Sequence, residues 1–165
     1  MAINGATVLA VIPARSGSKR CPGKNFREYR GKSLIGWAVD AAKASKYIDT
    51  VKLSLDSCRP PELCTDDASC EDVLRYHQAQ TPHDWIVLLQ PTSPNRTAED
   101  IDACIERAQL GHGAFSTYMG KTNGAVYVAT KEWLAAHDFN HAGLAKYEME
   151  ESHSLDINLT EDFER

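Results

Sequence analysis

The sequence predicts a three-layer α/β/α fold on a mostly parallel, Rossmann-like sheet. Short apolar runs alternate with stretches of helical periodicity, as expected for βαβ units. The runs at residues 7–12 and 85–89 are apolar throughout, which is typical of strands buried on both faces. Polar loops follow Ile12, Leu55 and Leu89. Ligands of such sheets bind beyond the carboxyl ends of the strands, so we expect these loops to form the site.

Length and composition indicate one domain over residues 1–165. A chain of 165 residues with 42% hydrophobic content can bury a substantial core. The net charge of −5 disfavours general binding to nucleic acid or to a membrane surface. Five cysteines without a Cys-x-x-Cys pair argue against a disulfide framework and a thiolate zinc site. The first apolar run is halted by Pro13 and lacks a basic leader, so we expect a cytoplasmic protein.

Periodicity and capping residues predict the individual elements. Ser33 can cap a helix to about Lys46, Ser69 with Asp72 resembles a capping box, and Thr97 can cap a third helix. The second and third helices would end near residues 80 and 110, and a short fourth covers 131–137. Strands are expected at residues 7–12, 50–55, 85–89, 114–118 and 125–129. Residues 57–67 should be loop, 141–152 show no clear pattern, and 154–157 could form a last strand.

A basic, glycine-containing loop follows the first strand. It carries four cations interleaved with Gly17 and Gly23: Arg15, Lys19, Arg20 and Lys24. Glycines let the backbone approach an anion closely, and N–H groups with lysines can hold a polyphosphate. A solvated basic turn is the alternative. The strand before the loop and the helix after it favour phosphate binding.

The loop is not one of the common nucleotide fingerprints. Gly31-Lys32-Ser33 looks like the end of a Walker A motif, but the first glycine of that motif would fall at Phe26. No Gly-x-Gly-x-x-Gly sequence occurs either. GTPase, ATPase and dehydrogenase functions are therefore disfavoured.

Several ordered segments resemble the acylneuraminate cytidylyltransferases, the CMP-sialic acid synthetases and their relatives. The first is Ile12-Pro-Ala-Arg-Ser-Gly-Ser-Lys-Arg-x-Pro-Gly-Lys-Asn25, which is similar to the family's nucleotide loop. The others follow in the family's order and extend the resemblance over residues 8–163. They are Leu53-Ser-Leu-Asp56, Pro61-Glu-Leu-x-x-Asp-x-Ala-Ser69, Leu88-Leu-Gln-Pro-Thr-Ser-Pro-x-Arg-Thr-Ala-Glu-Asp-Ile101, Asn123-Gly-Ala-Val-Tyr127 and Ser154-Leu-Asp-Ile-x-x-x-x-Asp-Phe163.

The resemblance implies a fold of the nucleotide-diphospho-sugar transferase type and a reaction. CTP would transfer CMP to a nine-carbon 2-keto sugar acid, with Mg²⁺ as cofactor and pyrophosphate as the leaving group. The implied catalytic residues are Arg15, Lys19, Lys24 and Asn25. Those implied to bind nucleotide are Ala14, Arg15, Ser16, Gly17, Lys19, Lys24, Ser69 (or Cys70) and Gln90. Gln90, Lys121 and Asn123 would bind the sugar, and Asp156 with Asn158 would hold the metal.

The sequence also departs from the family pattern. Asn158 stands where the family has a second aspartate, and losing one charge beside a cation costs roughly 4 kcal/mol at an effective dielectric of about 20. Lys121 stands where the family has an arginine, and an arginine can form two parallel hydrogen bonds with a carboxylate, which a lysine cannot. The family's dimerisation insertion, expected between Tyr118 and Lys121, and its final helix are missing, so a homodimer would need other contacts.

These departures keep two alternatives to a full synthetase open. One is a catalytically degenerate module that still binds a cytidine nucleotide. The other is a nucleotidyltransferase for a smaller substrate, because loss of the insertion would open the pocket.

Overall fold

The computed structural model describes residues 3–15, 21, 23–140 and 143–165. Eight strands and four helices occur in this part of the chain. The strands are β1 (Val8–Pro13), β2 (Glu28–Tyr29), β3 (Lys32–Ser33), β4 (Thr50–Ser54), β5 (Trp85–Leu88), β6 (Gly113–Tyr118), β7 (Lys121–Thr130) and β8 (Ala145–Glu148). The helices are α1 (Leu34–Ala44), α2 (Cys70–Gln80), α3 (Ala98–Ala108) and α4 (Lys131–Ala136).

Six strands form one mostly parallel sheet, as predicted. Their order is β4-β1-β5-β7-β6-β8, while β2 and β3 form a separate hairpin. β7 runs antiparallel to both of its neighbours, β5 and β6. The other three pairings in this sheet are parallel, so β1, β4, β5, β6 and β8 all point the same way. The carboxyl ends of β4, β1 and β5 therefore lie side by side.

Helices cover both faces of the sheet, which gives the predicted three layers. On one face Val8, Ala10 and Ile12 belong to a core that includes Ala38 of α1 and Ile105 of α3. On the other face, Leu9 and Val11 pack in a core that also takes in residues of α2 and α4, namely Val73, Leu74, Trp133 and Leu134. Because successive side chains of a strand point to opposite faces, a continuous apolar run in β1 supplies both cores.

The three predicted N-caps are confirmed. The hydroxyls of Ser33, Ser69 and Thr97 accept hydrogen bonds from the N–H groups three residues later, at 3.0, 3.0 and 3.1 Å. The capping box is complete only at Thr97, whose own N–H donates to Asp100 Oδ2 at 3.0 Å. At Ser69 it is not completed in this way, and the Asp72 carboxylate instead accepts a hydrogen bond from Arg75 Nη1 at 2.9 Å.

The expected strand at residues 154–157 is wrong. This segment crosses the loop after β5 and makes a backbone hydrogen bond there, from Ile157 N–H to the Thr92 carbonyl at 2.8 Å, so no ladder forms. The last sheet strand is β8, within the stretch that shows no clear pattern in the sequence. Residues 57–67 are loop as predicted, with short 3-10 turns at Asp56–Cys58 and Pro61–Leu63.

A two-residue turn joins β6 to β7. Met119 and Gly120 both have positive φ, 52° and 78°, as a tight hairpin turn of this length requires. The Glu148 carboxylate accepts hydrogen bonds from both of their N–H groups, at 2.6 and 3.2 Å. Elsewhere, none of the five cysteines forms a disulfide, and no helix of the described segments is long and apolar enough to cross a membrane.

Candidate active site

Two adjoining cavities open at the carboxyl edge of the sheet. The polar cavity, of about 270 Å³, lies beside the ends of β1 and β5. The apolar cavity, of about 600 Å³, lies over the face of β5, β7 and β6. Three residues line both cavities: Ser69, Cys70 and Gln90. A ligand in one cavity would thus meet a ligand in the other across this shared wall.

Cationic side chains converge on the polar cavity from separate loops. Arg15 and Lys24 come from the loop after β1, and Arg59 comes from the loop after β4. Arg15 also pairs with the Asp66 carboxylate, which lines the same cavity. An anion entering the cavity would compete with Asp66 for this guanidinium.

The two ends of the basic loop are tied together. Asn25 Nδ2 donates a hydrogen bond to the Arg15 carbonyl at 2.9 Å. Gly23, with φ 68°, precedes the 3-10 turn Lys24–Phe26 and permits the left-handed backbone that starts it. The loop therefore presents Arg15, Lys24 and Asn25 on one wall. Ser16, Gly17 and Lys19 lie outside the described residues, so their predicted roles stay predictions.

Arg59 is a cavity residue that sequence reasoning missed. Its side chain is 3% exposed, and Nη2 lies 3.7 Å from Asp56 Oδ1. Its buried Nε has no hydrogen-bond partner among the described residues. A buried donor without a partner is costly, and a ligand in the cavity could satisfy it. The only sequence signal was an arginine in the loop leaving the second strand, just before Pro60-Pro61.

The shared wall is held by a buried arginine. Arg96 Nη1 donates to the carbonyls of Gln90 and Ala125, at 2.9 and 2.7 Å, and so ties the loop after β5 to β7. Burial lowers the pKa of Arg96 to about 10, a value at which it is still charged at neutral pH. Burial likewise raises the pKa of Cys70 in the same wall, which keeps its thiol protonated.

The floor of the apolar cavity is a cross-strand row. Leu88 of β5 pairs with Tyr127 of β7, Tyr127 with Phe115 of β6, and Phe115 with Lys146 of β8. All four line the cavity. Phe139 closes one side with its ring 4.9 Å from that of Tyr127. Such a surface suits a ligand with apolar as well as polar faces.

Three residues that were predicted to bind nucleotide or sugar lie away from the cavity linings. Lys121 is exposed beside the β6–β7 turn. Asn123 Nδ2 donates to Ser154 Oγ at 3.2 Å, and its Oδ1 accepts from Ser116 Oγ at 2.6 Å, so it braces the segment before Asp156. Ala14 is buried, and its N–H donates to the Ser54 carbonyl at 2.9 Å. The proposed ligand contacts of these residues stay predictions.

Asp156 and Asn158 are adjacent in space although they do not lie on a strand. Asn158 Nδ2 donates to Asp156 Oδ2 at 2.8 Å. Between them, Ile157 is bonded to Thr92, which lines the polar cavity. No cluster of three or more His, Cys, Asp or Glu side chains suited to a metal occurs in the described segments. One carboxylate and one amide oxygen fit Mg²⁺ that takes its remaining ligands from water and phosphate.

Comparison with known proteins finds relatives that are named as synthases or cytidylyltransferases. The chain is 36% identical over 120 residues to the CMP-N,N'-diacetyllegionaminic acid synthase of Legionella pneumophila, covering 60% of this chain and 52% of that protein. It is 28% identical to the N-acylneuraminate cytidylyltransferase of Streptococcus agalactiae serotype III, covering 94% and 51%. The chain thus spans about half the length of the curated relatives it matches. The 211 positions of the second alignment exceed the 165 residues of this chain, so it has gaps where that relative has residues.

A solved structure shares the fold. The CMP:2-keto-3-deoxy-manno-octonic acid synthetase complexed with CTP superposes with a TM-score of 0.77 at 13% identity, covering 96% of each chain. Finally, the profile of the family described as cytidylyltransferase matches residues 9–152, which include both cavities' shared wall and most of the sheet. The chain therefore belongs to the cytidylyltransferase family.

Proposed function

We propose that this protein transfers CMP from CTP to a nine-carbon 2-keto sugar acid of the sialic acid type. The anomeric oxygen of the acid would bond to the α-phosphorus of CTP. The bond between that phosphorus and the oxygen bridging to the β-phosphate would break, pyrophosphate would leave, and the hydroxyl proton would pass to solvent. Two substrates must meet for this reaction, and the two cavities with a common wall are the observation that carries the proposal.

The polar cavity suits the nucleotide. Arg15, Lys24 and Arg59 would face the triphosphate, and their fixed charges would stabilise negative charge that grows on the leaving group. Asn25 would lie near the reacting phosphorus. Ser69 and Gln90, in the shared wall, would contact both substrates.

The apolar cavity suits the acceptor. Its volume of about 600 Å³ is within the usual range for small-molecule sites. Relatives named for N-acylneuraminate and N,N'-diacetyllegionaminic acid support a nine-carbon acid. A shorter match is to a relative named for 3-deoxy-manno-octulosonate, so an eight-carbon acid is the alternative acceptor.

Mg²⁺ is the cofactor that we propose, held by Asp156 and Asn158 together with phosphate oxygens. When bound, it would supply positive charge to the phosphates during transfer. The chain's own contribution is to fix these two side chains beside Thr92 through the Ile157 hydrogen bond. We further propose that the protein works in the cytoplasm, in keeping with five cysteines that form no disulfide.

One observation favours a second candidate, a cytidine-nucleotide-binding module without turnover. Asn158 brings no charge to the proposed metal site and directs its amide N–H to Asp156. Such a site would bind Mg²⁺ weakly, while the polar cavity could still hold a nucleotide.

A pyrophosphate-release assay separates these candidates. The intact chain would be given CTP, Mg²⁺ and, in turn, N-acetylneuraminic, legionaminic or 3-deoxy-manno-octulosonic acid. We expect release with a nine-carbon acid and at least a tenfold loss for Lys24→Ala, because one cation of the phosphate site is removed. CTP binding without release would favour the binding module. Release only with a smaller acceptor would contradict the substrate assignment.

A further inference from the structure

One acidic side chain lies in the apolar cavity, and the proposed transfer gives it no role. Among the described residues that line this cavity, Glu71 is the only one with a negative side chain. It is the second residue of α2 and directly follows Ser69 and Cys70, which line the wall shared with the polar cavity. A carboxylate in a cavity for an acidic sugar repels its ligand, so its presence there calls for another explanation.

The Glu71 carboxylate holds a second part of the cavity lining. Its Oε2 accepts a hydrogen bond from the Phe139 N–H at 3.0 Å. Phe139 belongs to residues 137–140, which follow α4 and which we call the wall segment; of these, Phe139 and Asn140 line the cavity. Hydrogen bonds to an ionised group are stronger than those between neutral groups, so this contact helps to set where the backbone of the wall segment lies.

Arg75, about one helical turn after Glu71, binds the start of the wall segment. Its Nη2 donates to the His137 carbonyl at 2.8 Å and to Asp138 Oδ1 at 2.7 Å. Its Nε donates to the Leu134 carbonyl of α4 at 2.8 Å. The bond from Glu71 then reaches Phe139, the next residue along. The wall segment is thus held by α2, the same helix whose first residue lines the nucleotide cavity.

The Phe139 ring is the part of the wall segment that an acceptor would meet. It is 7% exposed, and its centroid lies 4.9 Å from that of Tyr127 on the cavity floor and 5.9 Å from that of Trp133. The attacking oxygen must meet CTP at the shared wall, so the rest of the sugar would lie over Tyr127 and against Phe139. A shift of the Phe139 backbone would therefore change the space that is open to the sugar.

We propose that Glu71 is a positioning residue, which shapes the acceptor cavity by holding Phe139 in place and does not itself bind the sugar. The inference rests on the proposed function and adds to it a residue that the family resemblance did not imply. Loss of the oxygen that accepts from Phe139 should weaken acceptor binding, whereas loss of the charge alone should not. Nucleotide binding should be unaffected, because Glu71 does not line the polar cavity.

Calorimetry on three variants tests this role. The intact chain, saturated with CDP and Mg²⁺ so that pyrophosphate cannot be released, would be titrated with N-acetylneuraminic acid, and CTP affinity would be measured separately. Glu71→Ala should weaken acid binding about tenfold and leave CTP affinity unchanged. Glu71→Gln should bind the acid at least as tightly as the wild type, because its amide oxygen still accepts from Phe139 and the repelling charge is gone. Glu99→Ala is the matched control at the exposed second residue of α3, and it should change neither affinity.

A double-mutant cycle separates positioning from direct contact with the sugar. Phe139→Leu keeps an apolar side chain but removes the ring, and it should weaken acid binding several-fold. Adding Glu71→Ala to this variant should cost less than about twofold more, because Glu71 then holds no ring in place. A tenfold loss from Glu71→Ala in both backgrounds would show that the carboxylate contacts the sugar itself and would overturn the positioning role.

The remaining outcomes distinguish this inference from the proposed function. Unchanged acid binding in Glu71→Ala, a tenfold loss in Glu71→Gln, or an equal loss of CTP affinity in Glu71→Ala would overturn the inference and leave the proposed function standing. Absence of acid binding by a wild-type chain that binds CTP would overturn both the inference and the sialic-type acceptor. If CTP and CDP fail to bind at all, the proposed function is wrong and the inference falls with it.

Discussion

Arg96 shows how a single buried charge can shape this site. Its guanidinium donates to two carbonyls that belong to different elements, Gln90 after β5 and Ala125 in β7. No carboxylate accepts a hydrogen bond from it among the described residues, and its Nε has no partner there. The charge is retained because burial lowers its pKa only to about 10. Arg96 thus acts as a clamp: its hydrogen bonds hold the loop after β5, which forms part of the wall shared by both cavities, against β7.

Removing this clamp should destabilise the fold. Arg96→Ala would leave two buried carbonyls without their charged donor and would open a cavity, so we expect the free energy of unfolding to fall by about 3 kcal/mol. Lys43→Ala, at an exposed position on α1, should cost less than about 0.5 kcal/mol. Urea unfolding measures both. Similar small losses for the two variants would show that the clamp is dispensable.

His77 should make stability depend on pH. Its Nε2 lies 2.7 Å from Ser54 Oγ, and burial, followed by Lys52 and Arg59, lowers its pKa below the ordinary value of about 6.5. The unfolded chain then takes up a proton near pH 6.5 while the folded chain does not. The stability contributed by neutral His77 is therefore present above pH 6.5 and is lost as pH falls towards the lower folded pKa.

Substitution of His77 should reduce that pH dependence. Between pH 7.5 and 5.5, His77→Gln should lose less of its free energy of unfolding than the wild type does. His112→Gln, at an exposed site, should retain the wild-type slope. Denaturant titrations at the two pH values provide the comparison. Parallel losses in His77→Gln and wild type would rule out His77 as the source.

Asn158 should limit metal affinity. Asn158→Asp would place a second carboxylate beside Asp156 and should raise the affinity of the CTP complex for Mg²⁺ by roughly tenfold, allowing for solvent screening. Asn158→Ala should give no gain. Mg²⁺ titration of the CTP complex is the readout. No gain in the aspartate variant would place the metal elsewhere.

At the scale of elements, α3 begins with the most complete cap of the four described α-helices. Thr97 and Asp100 exchange side-chain and backbone hydrogen bonds, and the buried face of the helix carries Ile101, Cys104 and Ile105. Thr97→Ala should lower the free energy of unfolding by about 1 kcal/mol, whereas Thr97→Ser should stay close to wild type because its hydroxyl can still accept. Thermal unfolding checks this, and an alanine variant as stable as the serine variant would argue against the cap.

Local signals predicted most elements but not all of them. Apolar runs and N-caps identify β1, β4, β5 and the main helices, because burial and capping act over a few neighbouring residues. They could not identify β8, whose alternating Ala145–Glu148 lies at the sheet edge and depends on pairing with β6. The wrong prediction at residues 154–157 has the same cause, because a strand needs a partner strand. This segment has the sequence of a strand, but its backbone bonds to the loop after β5.

At the scale of the whole molecule, the parallel sheet gathers distant loops into one site. Arg15, Arg59, Ser69 and Gln90 are far apart in sequence and line one polar cavity because β4, β1 and β5 end at the same edge. Motif resemblance could predict Arg15, Ser69 and Gln90. It could not predict Arg59, because the place of this residue in the site arises from the shape of the cavity, which no short motif records.

A crystal structure of the chain with CTP and Mg²⁺ tests the central claim most directly. The account predicts the triphosphate in the polar cavity, in contact with Arg15, Lys24 and Arg59, with Gln90 between the nucleotide and an apolar cavity still free for the acceptor. Nucleotide bound in the apolar cavity, or a polar cavity without nucleotide at saturating CTP, would contradict it.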